Sequence, residues 1–144
     1  MKKEFYKMLK FPSRDTKNGV LTMYEYVQNK GVEKLPFQPK RILTMQGMKN
    51  DDTRGGHTHH ETNQILFCLQ GSCSVDLDNG SEKTSVALSA ANEGVLLLPY
   101  VWHVMHSFSD DAILLVIADT EYDEKDYIRS YDDFMKFVAE KKPW

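Results

Sequence analysis

Short runs of apolar residues, separated by polar turns, occupy most of this chain. Between positions 72 and 78, apolar Cys73, Val75 and Leu77 alternate with polar residues, and this period of two is typical of a strand with one buried face. The other runs are rich in β-branched and aromatic residues and are too short for helices. The pattern predicts strands at residues 4–9, 20–27, 41–46, 64–70, 72–78, 82–88, 95–98, 101–108 and 112–118.

Residues that favour turns separate these strands. Asn79-Gly80 is the strongest hairpin signal, because both residues tolerate positive φ. The polar stretches 13–18 and 47–53 are expected to be loops. No helical periodicity lies between the strands, so their spacing indicates an all-β fold, either an antiparallel sandwich or a barrel.

The last part of the chain has a different pattern. Ser130 followed by Asp133 resembles a helix capping box with Asp in place of Glu, and apolar residues then follow at helical spacing. We therefore predict one amphipathic helix at residues 131–141, within a helical segment of about 124–142. Its aromatic stripe is expected to pack against the strands.

Composition limits the domain count and the partners. The 144 residues suit one domain, residues 1–144, with its strands in residues 1–120. A net charge of −3 and dispersed basic residues argue against a nucleic-acid partner. The longest apolar runs, 94–98 and 112–118, are too short to cross a membrane, and no apolar run follows the charged N-terminus as in a secretory signal.

The chain has two cysteines, Cys68 and Cys73, and they do not form the Cys-x-x-Cys pattern of a redox pair. We expect two reduced, structural thiols, with a disulfide as the alternative. Reduced thiols indicate the cytoplasm as the compartment.

Three of the five histidines lie in one stretch, RGGHTHH at residues 54–60. In a strand, His57 and His59 project from the same face. His103 and His106 belong to a second motif, PYVWHVMH. Two imidazoles that face one cavity form either a metal site or an acid/base pair, and the histidines alone leave both interpretations open.

These motifs are spaced like the two signatures of the cupins, jelly-roll barrels (double-stranded β-helices) that hold a ligand or metal at the mouth. The matching residues are His57, His59, Gln64, Gly71, Gly94, Pro99 and His103. Gln64 occupies the position of the glutamate that is the anionic metal ligand in that family. Because an amide binds a transition metal more weakly than a carboxylate, we expect no metal cofactor, with a three-histidine metal site as the alternative.

Within the cupins, the chain more closely resembles the WxcM-like nucleotide-sugar 3,4-ketoisomerases. Their Arg-Gly-x-His-x-His block is similar to residues 54–59, and their C-terminal signature is similar to YDEKDYIRSYDDF at residues 122–134. The segments 35–37 and 99–103 also match. The C-terminal block carries the most weight, because it does not belong to cupins in general.

This resemblance implies a cytoplasmic isomerase that converts dTDP-4-keto-6-deoxy-glucose into its 3-keto isomer through an enediol. The reaction belongs to deoxy-amino-sugar biosynthesis for surface polysaccharides such as lipopolysaccharide O-antigen. Such enzymes are homodimers with exchanged N-terminal strands, need no metal or other cofactor, and transfer protons with paired histidines. An imidazole suits this role, because it titrates near neutrality and can remove a proton next to a carbonyl.

The resemblance also implies the roles of individual residues. We assign His59 as the base at C3 and His57 to the protons at the oxygens or at C4, although the sequence leaves open which does which. Arg54 is the candidate for the pyrophosphate or the enediolate, because a guanidinium makes paired hydrogen bonds to phosphate. His60 and His106 are expected outside the site. The other expected substrate contacts are Arg41, Gln64, Tyr100, Trp102 and His103.

One position departs from the family pattern. The family carries a tyrosine three residues after the arginine matched by Arg41, and this chain has Thr44 there. A threonine hydroxyl lacks the acidity and reach of a phenol. We therefore expect the chain either to use another hydroxyl, with Tyr100 as the candidate, or to have a function other than this isomerisation. The alternatives are an epimerase of another nucleotide-linked keto-sugar, a metal-dependent cupin, and a non-catalytic module that binds nucleotide sugars.

Overall fold

Strands make up most of the regular structure of the protein, whose computed structural model describes residues 4–28 and 34–144. The strands are β1 (Tyr6–Lys10), β2 (Ser13–Thr16), β3 (Gly19–Thr22), β4 (Arg41–Gln46), β5 (Arg54–His59), β6 (Gln64–Gln70), β7 (Cys73–Asp78), β8 (Lys83–Leu88), β9 (Glu93–Leu97), β10 (Trp102–His106), β11 (Ile113–Ala118) and β12 (Tyr127–Ile128). A 3-10 turn (Glu124–Asp126) precedes β12, and helix α1 (Tyr131–Lys141) follows it. The predicted all-β fold with a short C-terminal helix is confirmed.

Two five-stranded sheets supply the walls of the core. The first has the strand order β1-β9-β6-β11-β4, and the second has the order β12-β5-β10-β7-β8. Strands β2 and β3 form a separate hairpin. Neighbouring strands in these sheets are antiparallel.

Strand β6 is buried on both faces. Leu66 and Cys68 belong to the main core cluster, together with residues of both sheets. Ile65 and Phe67 pack with Phe11 in a second apolar cluster. Because both faces need apolar side chains, this strand reads as a continuous apolar run instead of an alternating one.

The N-terminal segment differs from the prediction. The sequence predicts a loop at 13–18 and a strand at 20–27, but Ser13–Thr16 pairs with Gly19–Thr22 as the β2-β3 hairpin. All four residues of β2 are exposed, so no buried face imposes an alternating pattern that would predict a strand there. The chain leaves strand conformation after Thr22.

The predicted turn at Asn79-Gly80 is present but longer than a two-residue hairpin loop. Asp78 pairs with Lys83, and the Asn79 backbone N–H donates to the Glu82 carbonyl oxygen at 3.1 Å. Gly80 has a φ of 90°, whereas Asn79 does not adopt positive φ. A four-residue loop therefore joins β7 to β8.

Helix α1 begins and ends at the predicted residues, but the segment before it is not continuously helical. Ser130 caps the helix by accepting a hydrogen bond from the Asp133 backbone N–H at 3.3 Å. Phe134 is fully buried against Trp102. The expected helical segment of about 124–142 instead begins with the 3-10 turn and β12, because β12 pairs with the otherwise open edge of β5.

The structure also bears on the cysteines and on membrane-spanning segments. Cys68 and Cys73 are buried free thiols, as expected. Among the described residues, no helix is both long enough and apolar enough to cross a membrane.

Candidate active site

Two glycines shape the strand that carries the histidine motif. Gly55 and Gly56 have φ values of 84° and 72°, a region that L side chains rarely adopt. A Cβ atom on Gly55 would lie 2.7 Å from the carbonyl oxygen of His103. This close approach accompanies a register shift between His103 and Val104, and it leaves His57 directly opposite His103.

Three histidine rings meet between the sheets. The ring centroid of His57 lies 4.8 Å from that of His103 and 5.2 Å from that of His59. His59 and His103 are only 2% and 3% exposed. As the strand alternation predicts, His57 and His59 share a face, while His60 contacts Phe137 of α1 instead.

A cavity of about 230 Å³ opens beside these rings. Its walls come from both sheets, and they combine an apolar surface with several polar side chains. The lining residues are Arg41, Leu43, Met45, Gly55, His57, Gln64, Leu66, Leu97, His103, Met105, Val116, Tyr127 and Arg129. An apolar pocket with a few convergent polar groups is typical of a small-molecule site.

A carboxylate holds His59 in one tautomer. Asp126, in the 3-10 turn, accepts a hydrogen bond from Nδ1 of His59 at 3.0 Å. The Thr62 hydroxyl and the Glu61 backbone N–H also donate to this carboxylate. Because Nδ1 carries the proton, Nε2 of His59 keeps a lone pair, and this buried atom has no hydrogen-bond partner among the described residues.

Burial keeps the three imidazoles neutral. It lowers the pKa of His57 to about 4, that of His59 to about 4 and that of His103 to about 3. The neighbouring histidines lower these pKa values further, whereas Asp126 partly opposes the shift by raising the pKa of His59. A histidine that is neutral near pH 7 is ready to accept a proton.

His103 is hydrogen-bonded at both ring nitrogens. Nδ1 lies 3.1 Å from the carbonyl oxygen of Val101, so Nδ1 carries the proton. Nε2 then holds the lone pair, and it lies 3.1 Å from the side-chain nitrogen of Gln64, which donates to it. His103 therefore orients Gln64 at the cavity wall.

Tyr127 covers the two histidines of β5. Its ring centroid lies 4.4 Å from that of His59 and 5.0 Å from that of His57. The guanidinium of Arg129 lies 4.3 Å from the Tyr127 ring centroid, and its Nε donates to Glu124 at 2.7 Å. Because the Arg129 side chain is 54% exposed, this part of the cavity faces solvent.

Arg41 brings unused hydrogen-bond donors to the cavity. Its Nε and Nη1 are buried and have no partner among the described residues. Such donors suit an anionic ligand. Leu43 and Met45 face the cavity with Arg41, whereas Thr44 lies on the exposed face of β4. Alternation along β4 therefore turns the side chain at position 44, where the family carries a tyrosine, away from this cavity.

Three residues expected at the substrate lie away from this cavity. Trp102 points to the other side of its sheet and packs on Phe134. The Tyr100 hydroxyl is hydrogen-bonded to Nδ1 of His60 at 3.1 Å. Arg54 is exposed, and its Nη1 donates to the preceding backbone carbonyl at 2.9 Å. The structure does bring Arg41, Gln64 and His103 together with the histidine pair.

Sequence reasoning did not select Asp126, Tyr127 or Arg129 as site residues. All three belong to the block at residues 122–134 that carries the family resemblance, so a signal for them was present. Their positions depend on the pairing of Tyr127 with His59, which joins segments far apart in the chain. A strand of two residues is too short to show any periodicity.

Comparisons with known proteins agree with this architecture. The family model described as "FdtA: WxcM-like, C-terminal" matches residues 4–139. The chain is 39% identical over 133 residues to a TDP-4-oxo-6-deoxy-alpha-D-glucose-3,4-oxoisomerase from Aneurinibacillus thermoaerophilus, and the match covers 92% of each protein.

Solved structures of 3,4-ketoisomerases are also similar to this chain. A 3,4-ketoisomerase from Helicobacter canadensis is 36% identical, with a TM-score of 0.85 and coverage of 93% of this chain and 97% of that one. The 3,4-ketoisomerase QdtA from Thermoanaerobacterium thermosaccharolyticum, a histidine-to-asparagine variant in complex with TDP-4-keto-6-deoxyglucose, is 31% identical. Its TM-score is 0.89, and the match covers 97% of this chain and 98% of that one.

Proposed function

Since this chain belongs to the WxcM-like, C-terminal (FdtA) family and is a sugar 3,4-ketoisomerase, we propose that it acts on a TDP-linked 4-keto-6-deoxy-hexose by histidine-mediated proton transfer. One observation carries this proposal. The Nδ1 of His59 is bound to Asp126, and the buried Nε2 of His59 has a lone pair without a partner among the described residues. The His59 ring contacts His57 and Tyr127, which line the small cavity. The relatives named for this reaction support the choice of substrate.

The size of the cavity suggests which part of the nucleotide sugar binds inside it. Pockets for drug-sized ligands measure roughly 300–1,000 Å³, and this cavity measures about 230 Å³. It therefore accommodates the hexose, and the nucleotide extends toward solvent. The apolar wall, which includes Leu66 and Met105, suits a sugar that carries a methyl group in place of a 6-hydroxyl.

The first step is proton removal at C3. The lone pair on Nε2 of His59 takes this proton, and the C–H electrons form a double bond between C3 and C4. The C4 carbonyl oxygen gains the negative charge, which gives an enediolate. Asp126 stabilises the imidazolium that forms, because its carboxylate accepts the Nδ1 hydrogen bond.

The second step returns a proton at C4. His57 lines the cavity, and its Nδ1 is buried without a partner among the described residues. We assign it to move the proton from the O3 hydroxyl to O4. C4 then receives a proton from the His59 imidazolium as C3 becomes the carbonyl. His59 returns to its neutral form, and the product is an isomer of the substrate with no net gain or loss of protons.

Arg41 is the arginine best located for the negative charges. Its Nε and Nη1, which have no partner within the described part of the chain, belong to a side chain that lines the cavity, whereas Arg54 is exposed outside it. We therefore assign Arg41 to the pyrophosphate or the enediolate oxygen. Arg54 remains a candidate only for a part of the nucleotide that reaches beyond the cavity.

Isotope exchange tests the reaction. Incubation with TDP-4-keto-6-deoxyglucose in deuterated water is expected to give a 3-keto product with deuterium at C4, and reversal introduces deuterium at C3 of the substrate. Proton NMR follows both positions. Absence of product and of exchange with TDP-, UDP- and GDP-linked 4-keto sugars would refute the proposal.

A matched pair of variants tests the base. His59→Asn removes the lone-pair acceptor, and kcat is expected to fall by about 100-fold or more. His106→Asn is the control, because His106 lies 3.0 Å from Asp76 on β7, outside the cavity. Equal loss of activity in both variants would contradict the assignment of His59.

The chemistry of the product suggests its next use. A 3-keto sugar is the substrate that an aminotransferase requires to introduce an amine at C3, so we propose a role in deoxy-amino-sugar biosynthesis. Addition of a sugar aminotransferase and an amino donor is expected to yield a TDP-linked 3-amino sugar in mass spectra. Transamination at C4 alone would contradict this role.

We also propose a homodimer with exchanged N-terminal strands. The β2-β3 hairpin exposes Val20 and Leu21 at 66% and 52%, and β4 exposes Ile42 at 62%. A second copy that covers these side chains would remove apolar surface from water. Sedimentation at the mass of two 16.6 kDa chains is the expected result.

A further inference from the structure

The three clustered histidines, of which His59 and His103 are buried, resemble a metal ligand set. Their potential ligand nitrogens lie within 4.8 Å of one another, and three histidines around an open position can form a metal site. Asp126 behind His59 is also typical of metal sites, in which a carboxylate often orients a ligating imidazole. The hydrogen bonds of the third histidine decide whether the set fits a metal.

The lone pair of His103 is already occupied. The Val101 carbonyl oxygen can only accept, so Nδ1 of His103 donates to it, and Nε2 is the nitrogen with the lone pair. The Gln64 atom 3.1 Å from this Nε2 is therefore the amide nitrogen, which donates. His103 is buried and its ring lies 4.8 Å from that of His57, an environment that disfavours the doubly protonated ring.

We propose that Gln64 keeps this cluster free of transition metals, because its amide occupies the only lone pair that His103 could offer. A metal must break the Gln64–His103 hydrogen bond and gains no anionic ligand in exchange. A glutamate at the same position would place a carboxylate next to that lone pair, and this arrangement attracts a cation.

This exclusion protects the proposed chemistry. A metal on the cluster would take the lone pair of His59 Nε2, which is the atom proposed to accept the C3 proton. Gln64 thus makes His57 and His59 available as acid and base. The inference concerns metal affinity and stands independently of the sugar substrate.

Titration with Co²⁺ compares the wild-type chain with Gln64→Glu and Gln64→Ala. Gln64→Glu adds a ligand, and we expect at least tenfold tighter Co²⁺ binding, with the visible absorption bands of a histidine-carboxylate site. Gln64→Ala releases the His103 lone pair and leaves room for water, so it is expected to bind more tightly than wild type and more weakly than Gln64→Glu. His103→Asn in the Gln64→Glu background is expected to remove the gain.

Two results would overturn the proposal. One is stoichiometric Co²⁺ binding by the wild type with the affinity of Gln64→Glu. The other is Gln64→Ala binding no better than wild type, because the hydrogen bond would then not be what excludes the metal. A measurement without variants adds a third arm: long-range ¹H–¹⁵N spectra of the wild type are expected to show His103 protonated at Nδ1. Protonation at Nε2 would refute the hydrogen-bond assignment.

Discussion

Asp126 determines both the orientation and the basicity of His59. It accepts the Nδ1 proton at 3.0 Å and is itself held by Thr62 and the Glu61 backbone N–H. Its charge also raises the pKa of His59 against the larger effect of burial. A single carboxylate therefore aims the lone pair and moderates the loss of basicity.

Asp126→Asn is expected to lower kcat by roughly 10- to 100-fold and to shift the acid limb of kcat/KM to lower pH. Loss of the carboxylate removes the charge that raises the pKa of His59, so His59 stays neutral to lower pH but accepts the C3 proton less readily. The pH dependence of kcat/KM measures both effects. Asp76→Asn is the control, since Asp76 contacts His106 outside the cavity. An unmoved acid limb in Asp126→Asn would contradict this positioning role.

Stability is expected to fall as the pH drops from about 6.5 to about 4. Burial lowers the pKa of His57 to about 4, and the unfolded chain has the ordinary value of 6.5, so the unfolded state binds more protons across this window. The stabilisation is complete above pH 6.5 and is lost progressively below it. At about 1.4 kcal/mol per pKa unit, His57 alone corresponds to roughly 3 kcal/mol.

Urea unfolding at several pH values from 7.5 to 4.5 measures this dependence. His57→Asn is expected to show a flatter profile than the wild type, because one buried titrating group is gone. Identical slopes in the two proteins would show that His57 does not titrate as its burial requires.

At the scale of elements, the close approach of β5 to β10 depends on Gly55. Gly55→Ala would combine positive φ with a Cβ 2.7 Å from the His103 carbonyl oxygen, whereas Gly56→Ala meets nothing within 4 Å. Left-handed strain costs about 1–2 kcal/mol in either variant. We expect Gly55→Ala to lower the free energy of unfolding by about 2 kcal/mol more than Gly56→Ala, measured by denaturant titration. Equal losses would mean that β10 yields to the added methyl group.

Elements could be predicted from sequence where burial imposes a period. The alternation of β7 and the capping residues of α1 predicted both elements correctly. Strand β2 was missed because all four of its residues are exposed, and β12 was missed because it has only two residues. Both failures arise because strand pairing, and not side-chain pattern, defines these elements.

At the scale of the whole molecule, the sequence predicted the local part of the site better than the distant part. His57 and His59 follow from strand alternation, and Gln64 and His103 follow from the cupin spacing. Asp126 lies 67 positions from His59, and only the β12–β5 pairing brings the two together. Trp102 lies on the face of β10 that points away from the cavity, and the sequence alone does not show which face of this strand the barrel encloses.

Assembly is the remaining property of the whole molecule that the structure makes testable. Val20 is 66% exposed on a hairpin that belongs to neither five-stranded sheet, so its apolar side chain lacks a partner surface within the described chain. If a second copy covers this hairpin, Val20→Lys buries an unpaired charge in the interface, and the dimer is expected to dissociate.

Sedimentation velocity separates the two states by mass. The wild type is expected to sediment as a dimer, and Val20→Lys as a 16.6 kDa monomer. Met135→Lys is the matched control, because Met135 is an exposed apolar residue on α1, away from the hairpin. It is expected to remain dimeric. A wild-type monomer, or a Val20→Lys dimer of unchanged stability, would show that this hairpin does not lie in the interface.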